Sequence, residues 1–95
     1  MVKLTEIVEQ SMANDFSVRS VFLNPSHVVM VREDNKFGNY LAENKLSDLG
    51  IERNMQFTRV TMRGGSNGNY DITVLGPVEL VYEKIQTSTK TLLKG

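Results

Sequence analysis

No cysteine occurs in this 95-residue sequence, so it has neither a disulfide framework nor a thiolate metal site. The single histidine, His27, would leave a zinc site to be completed by carboxylates. Tryptophan is absent, and only two prolines, Pro25 and Pro77, punctuate the chain. No apolar run approaches the roughly 20 residues that a membrane-spanning helix needs. Neither sign of charge is in excess, since Lys and Arg total 11 and Asp and Glu also total 11. A DNA-compacting protein would be strongly basic, so this balance counts against bulk nucleic-acid binding. A module that grips one strand through a local patch needs no such excess. The opening residues Met1 to Glu6 lack the apolar core of a signal peptide. Asn24-Pro25-Ser26 fails as a glycosylation acceptor because proline holds the middle position. These features predict a cytoplasmic protein with no membrane association.

What remains is enough for one domain, spanning 1–95. A chain this short buries only ~60–65% of the surface its unfolded form exposes, and such domains often gain stability by assembling. Residues 2–9 alternate, with Val2, Leu4 and Val8 opposite Lys3, Thr5 and Glu9, which predicts a half-buried strand. Ser11 to Asp15 read as a loop, and Val18 to Leu23 as a second strand ended by the turn signal Asn24-Pro25. His27 to Val31 form a third strand that is apolar on both faces, as in a central strand or one covered by a neighbouring subunit. Arg32 to Lys36 are a solvated loop. Residues 37–52 form an insertion, either a short helix or irregular.

Met55 to Met62 predict a fourth strand with a fault in its alternation. Met55 and Phe57 share one face while Val60 and Met62 lie on the other, which implies a bulge or bend near Thr58-Arg59. Gly64 to Gly68 make a turn, and Tyr70, Ile72 and Val74 alternate along a fifth strand in a hairpin with the fourth. Gly76-Pro77 then start a helix over about 77–86. Its stripe is Val78, Val81, Tyr82 and Ile85, and Thr87-Ser88-Thr89 fray it into a short apolar tail. The expected fold is mostly β: a small, strongly bent, five-stranded antiparallel barrel with an insertion between strands three and four and a C-terminal helix.

Enzyme chemistry finds no foothold. Ser26 and His27 are adjacent and would point to opposite faces of a strand, and no nucleophile elbow is present. The glycine-rich turn lacks the Lys-Ser/Thr of a phosphate loop and precedes a strand. Glu33 to Gly38 miss the spacing of a calcium loop because Lys36 interrupts it. No catalytic residue, metal site or cofactor is expected.

The segment Val60-Thr61-Met62-Arg63-Gly64-Gly65-Ser66-Asn67 resembles the second signature of the Sm and Sm-like RNA-binding family: a hydrophobic residue, Arg-Gly, a polar turn, then the fifth strand. Leu23-Asn24-Pro25-Ser26-His27 stands where that family's loop between strands two and three supplies a stacking residue and an asparagine. The chain departs from the family in starting with a strand and in lacking the first signature's glycines and loop aspartate. It also adds a C-terminal helix. Val-Lys-Leu-Thr at the start, Leu-Asn-Pro-Ser-His-Val and Gln-Phe-Thr-Arg-Val-Thr-Met resemble a group of small proteins from ocean metagenomes and tailed phages of cyanobacteria. The Sm-like resemblance implies a single-stranded RNA- or DNA-binding module, with a place in phage RNA or DNA processing or regulation. It further implies a homo-oligomeric ring closed through strand edges four and five, in the cytoplasm of the host. The implied binding residues are Arg63, Gly64, Ser66 and Asn67 on one turn and Asn24 and His27 on the other. The rival expectation is a protein-interaction module that docks a partner through the helix. A small-molecule pocket between subunits is the third.

Overall fold

The computed structural model describes residues 1–10, 15–36 and 55–94. The predicted insertion at 37–52 lies outside the described residues. Five strands follow one another: β1 (Val2–Gln10), β2 (Asp15–Leu23), β3 (Val28–Glu33), β4 (Phe57–Met62) and β5 (Tyr70–Leu75). A helix, α1 (Val78–Lys94), closes the order. The strands form one antiparallel sheet in the order β2-β1-β5-β4-β3. The mostly β class, the β4–β5 hairpin and the C-terminal helix are as the sequence predicts.

A long two-stranded hairpin and a three-stranded unit make this sheet, and their junction is short. β1 and β2 pair over nine residues, from Val2↔Leu23 to Gln10↔Asp15. β4 pairs with β5 from Phe57↔Leu75 to Met62↔Tyr70 and with β3 from Glu33↔Thr58 to Val28↔Met62. Only Glu6↔Val74 and Ile7↔Thr73 join the two halves. Among the described residues no ladder joins β2 to β3, so the sheet they form is open there. β4 and β5 are both interior strands. The intersubunit pairing expected of their edges is thereby narrowed to the part of β5 beyond its two-residue contact with β1, and the strands open along a whole edge among the described residues are β2 and β3.

The main core cluster lies on one face of the sheet, and Ile7 and Phe57 are buried on the other. Val2 and Leu4 of β1, Leu23 of β2, Val60 and Met62 of β4 and Val74 of β5 meet Val81 and Ile85 of α1. Alternation alone explains this set, because period two sends every second side chain to the same face. α1 begins where Gly76, at φ +115, turns the chain and Pro77 supplies a pre-set φ. Its first helical bond runs from the Val81 N–H to the Pro77 carbonyl. Glu79 lies in the first turn, where the helix dipole favours a negative charge. The helix runs to Lys94, well past the predicted end near 86. The Thr-Ser-Thr run has weak intrinsic helix preference, but preference of this size does not end a helix that is already nucleated and packed. Among the described residues no helix is long and apolar enough to cross a membrane.

Two expectations about strands are corrected. Of the two alternatives for β3, the central strand is removed: β3 is an edge strand among the described residues, and Val29 and Met30 are exposed on it. The irregularity assigned to β4 lies in β3, where the register shifts between Val28 and Met30. β4 itself pairs regularly with β5 along its whole length. Its broken alternation has another cause: Phe57, Thr58, Val60, Thr61 and Met62 are all buried, so both faces of β4 are covered.

Candidate functional site

The two turns singled out in the sequence meet at one end of the sheet. The Arg63 N–H donates to the His27 carbonyl at 2.8 Å, directly after the Val28↔Met62 pair. His27 and Arg63 are both exposed. Each turn is built by its own residues. Pro25 is buried and opens a 3-10 turn over Pro25–His27. The Asn24 side-chain carbonyl accepts from the Ser26 N–H at 3.1 Å and the Ser26 hydroxyl at 2.7 Å. The His27 N–H closes the turn on the Asn24 carbonyl at 3.0 Å. Asn24 thus serves the turn with its carbonyl oxygen and keeps only its amide NH₂ for other contacts.

The second turn depends on three glycines. Gly64 stands where an added Cβ would collide with the Gly68 carbonyl and press on the Tyr70 ring at 3.2 Å. Gly65, at φ +66, opens the 3-10 turn Gly65–Asn67, which Gly68 ends at φ +79. Ser66 and Asn67 are carried exposed at its tip. Tyr70 follows at the start of β5 and is 53% exposed. The sequence suggests burial for Tyr70, since it alternates with Ile72 and Val74. Its position as the first strand residue after the glycine-rich turn is the signal that sets it apart.

Charge separates this region from the rest of the molecule. Arg19 donates to Glu6 at 2.8 Å, Arg32 to Asp71 at 3.3 Å and Arg59 to Asp34 at 3.3 Å. Among the described residues no carboxylate pairs with Arg63. The sequence stretches 20–31 and 60–70, which contain both turns, hold no Asp or Glu. The backbone of Arg63 is thus fixed against that of His27, each in a sequence stretch that holds no acidic residue, and the Arg63 guanidinium has no carboxylate partner among the described residues.

A second polar cluster, not read from the sequence, forms around Asp34. Its side chain is buried and accepts from the Thr73 hydroxyl at 2.8 Å, the Lys36 N–H at 2.9 Å and Arg59 Nε at 3.3 Å. Burial by itself raises the Asp34 pKa. The Thr73 hydroxyl, the Lys36 N–H and the Arg59 guanidinium outweigh it and hold the carboxyl below its ordinary value. Its hydrogen-bonding capacity is spent within the fold, and it ties the end of β3 to β4 and β5. Nearby on the same sheet face, Asp71 takes the Thr61 hydroxyl and Arg32. Among the described residues no group of three or more His, Asp or Glu stands ready to hold a metal ion. Comparison with known proteins finds no matching family profile, curated sequence or solved structure.

Proposed function

We propose that the protein binds single-stranded nucleic acid, RNA in the first place, through the paired turns at Asn24–His27 and Arg63–Asn67. The observation that carries this reading is Arg63, whose backbone is bonded to the His27 turn in a stretch without acidic residues and whose guanidinium meets no carboxylate among the described residues. In this reading Arg63 meets a phosphate or lies flat on a base. His27 and Tyr70 offer rings on which bases stack, a contact worth ~1–3 kcal/mol each. Asn67 and the free amide of Asn24 hydrogen-bond the edges of splayed bases. Gly64 lets the turn pass close to Tyr70 and keeps Ser66 and Asn67 presented. The arrangement parallels the Sm-like mode, in which one weak site per subunit is repeated around a closed oligomer and binding becomes collectively tight. The β2 edge supplies free backbone for such assembly, and the cytoplasm, that of the host for a phage protein, is where it would act.

A second reading, a protein-interaction module, has its own observation. A groove of about 410 Å³ runs between β3 and α1, lined by Pro25, Val28, Val29, Met30 and the exposed Tyr82. Salt separates the two readings, because binding through phosphates releases counterions and weakens steeply as salt rises. Anisotropy of a labelled oligo(U) strand is the direct assay. Binding at low salt that falls with added salt and is lost in Arg63→Glu supports the nucleic-acid reading. Equal affinity of Arg63→Glu and the wild type removes it.

A further inference from the structure

Among the described residues the sheet has two open edges, β2 and β3, and they are not equivalent. β3 is six residues long, carries a register shift at its start and has α1 packed alongside. Short length and a bulge are two ways in which proteins blunt an edge against pairing. β2 has neither protection. It is nine residues long, without proline, and its pairing with β1 is regular from end to end. Its one cation, Arg19, is matched by Glu6 across the β1–β2 pair. Val18, Ser20 and Phe22 share one face and are exposed, Val18 at 40% and Phe22 at 61%. An unprotected edge beside an uncharged, partly aromatic row is a template for another strand.

We infer that β2 is the interface with a second copy of this chain, paired antiparallel about a two-fold axis at Ser20. The register follows from the side chains. A two-fold at Ser20 places Val18 of each copy opposite Phe22 of the other, with the small Ser20 pair on the axis. Pairing then spans residues 17–23 of both copies. A two-fold at Arg19 would set two guanidinium groups face to face, and like charges directly opposite are unfavourable. A two-fold at Val18 carries Phe22 past the end of the partner strand. Only the Ser20 axis covers both exposed apolar side chains and keeps Arg19 opposite Val21. The contact is isologous, so it closes on itself and joins two five-stranded sheets into one. This inference is independent of the nucleic-acid site, since none of the residues proposed there lies in the paired stretch.

The test is solution mass by light scattering over a range of concentrations, without nucleic acid. Wild type is expected at twice the chain mass of 10.7 kDa. Val18→Glu and Phe22→Lys should each fall to the single-chain mass. Mixing the two variants in equal amounts should restore the dimer, because the introduced carboxylate then faces the introduced ammonium while native Val18 still meets native Phe22. That rescue also shows that both variants are folded. If either variant fails to fold, Ser20→Asp is the substitute: it sets two carboxylates on the axis and should lose the dimer. A wild type at the single-chain mass at every concentration overturns the inference, as does a closed oligomer larger than two. A dimer unmoved by these substitutions, or folded single variants that do not re-form it on mixing, overturns the β2 register.

Discussion

Arg59 and Arg63 sit four residues apart on either side of the same strand end, and the fold uses them in opposite ways. Arg59 is drawn into β4's covered region and bonded to Asp34, whose carboxylate also takes a hydroxyl from β5 and an N–H from the chain beyond β3. Arg63 lies one residue past β4 at the exposed turn, where its backbone is fixed by His27 and its side chain meets no described carboxylate. The first arginine is part of how three strands are held together. The second joins no such network among the described residues. A chain with no net charge can still carry a cationic site when its acids are consumed elsewhere, as Glu6, Asp34 and Asp71 are by the other three described arginines.

If this division is right, substitutions at the two places should separate stability from binding. The largest effect is expected at Asp34. Asp34→Ala leaves Arg59 and Thr73 without their acceptor and should cost about 2–3 kcal/mol in urea unfolding. The partial exposure of Arg59 keeps this below the loss for a fully buried pair. The same carboxylate sets an acid limb. Its folded pKa lies below the unfolded value, so its stabilisation is complete above the ordinary carboxylate range near about 3.9 and is lost as pH falls through the folded value. Wild type should therefore lose stability as pH falls below the ordinary carboxylate range, more steeply than Asp34→Ala. Equal slopes would remove Asp34 from the account.

Gly64→Ala comes next. The collision with the Gly68 carbonyl forces the turn to shift, at about 1–2 kcal/mol in the same unfolding assay. Arg63→Ala should behave in the opposite sense to Asp34→Ala. Its unfolding midpoint should stay within about 0.5 kcal/mol of wild type, while oligo(U) affinity falls about tenfold and the salt slope drops by about one. Should Arg63→Ala destabilise the fold as much as Asp34→Ala, the contrast between the two arginines disappears. The smallest effect is expected for Asn67→Ala, about 0.5–1 kcal/mol in oligo(U) binding with unfolding unchanged.

Local pattern made the strands, the glycine turn and the start of the helix legible in the sequence. Val2 and Leu4, or Ile72 and Val74, announce a strand because period two is a property of one chain segment. Which neighbour a strand takes is not. The apolar run Val28 to Val31 is compatible with a central strand, and its edge position emerges only from the order β2-β1-β5-β4-β3. The apparent fault near Thr58-Arg59 reflects burial on both faces, a tertiary fact that mimics a bulge in the pattern. At the site, Arg63 and His27 were legible from their turns, and their juxtaposition came with the β3–β4 pairing. The Asp34 cluster was invisible because Asp34, Arg59 and Thr73 come from separated stretches and each looks solvated alone.

The most direct test of the central claim is backbone amide NMR of the full chain titrated with oligo(U). Shifts concentrated at Asn24, Ser26, His27, Arg63 to Asn67 and Tyr70, with Asp34 to Lys36 unmoved, are what the account predicts. Shifts absent at low salt, or centred on the Asp34 end or on the β3–α1 groove, would contradict it.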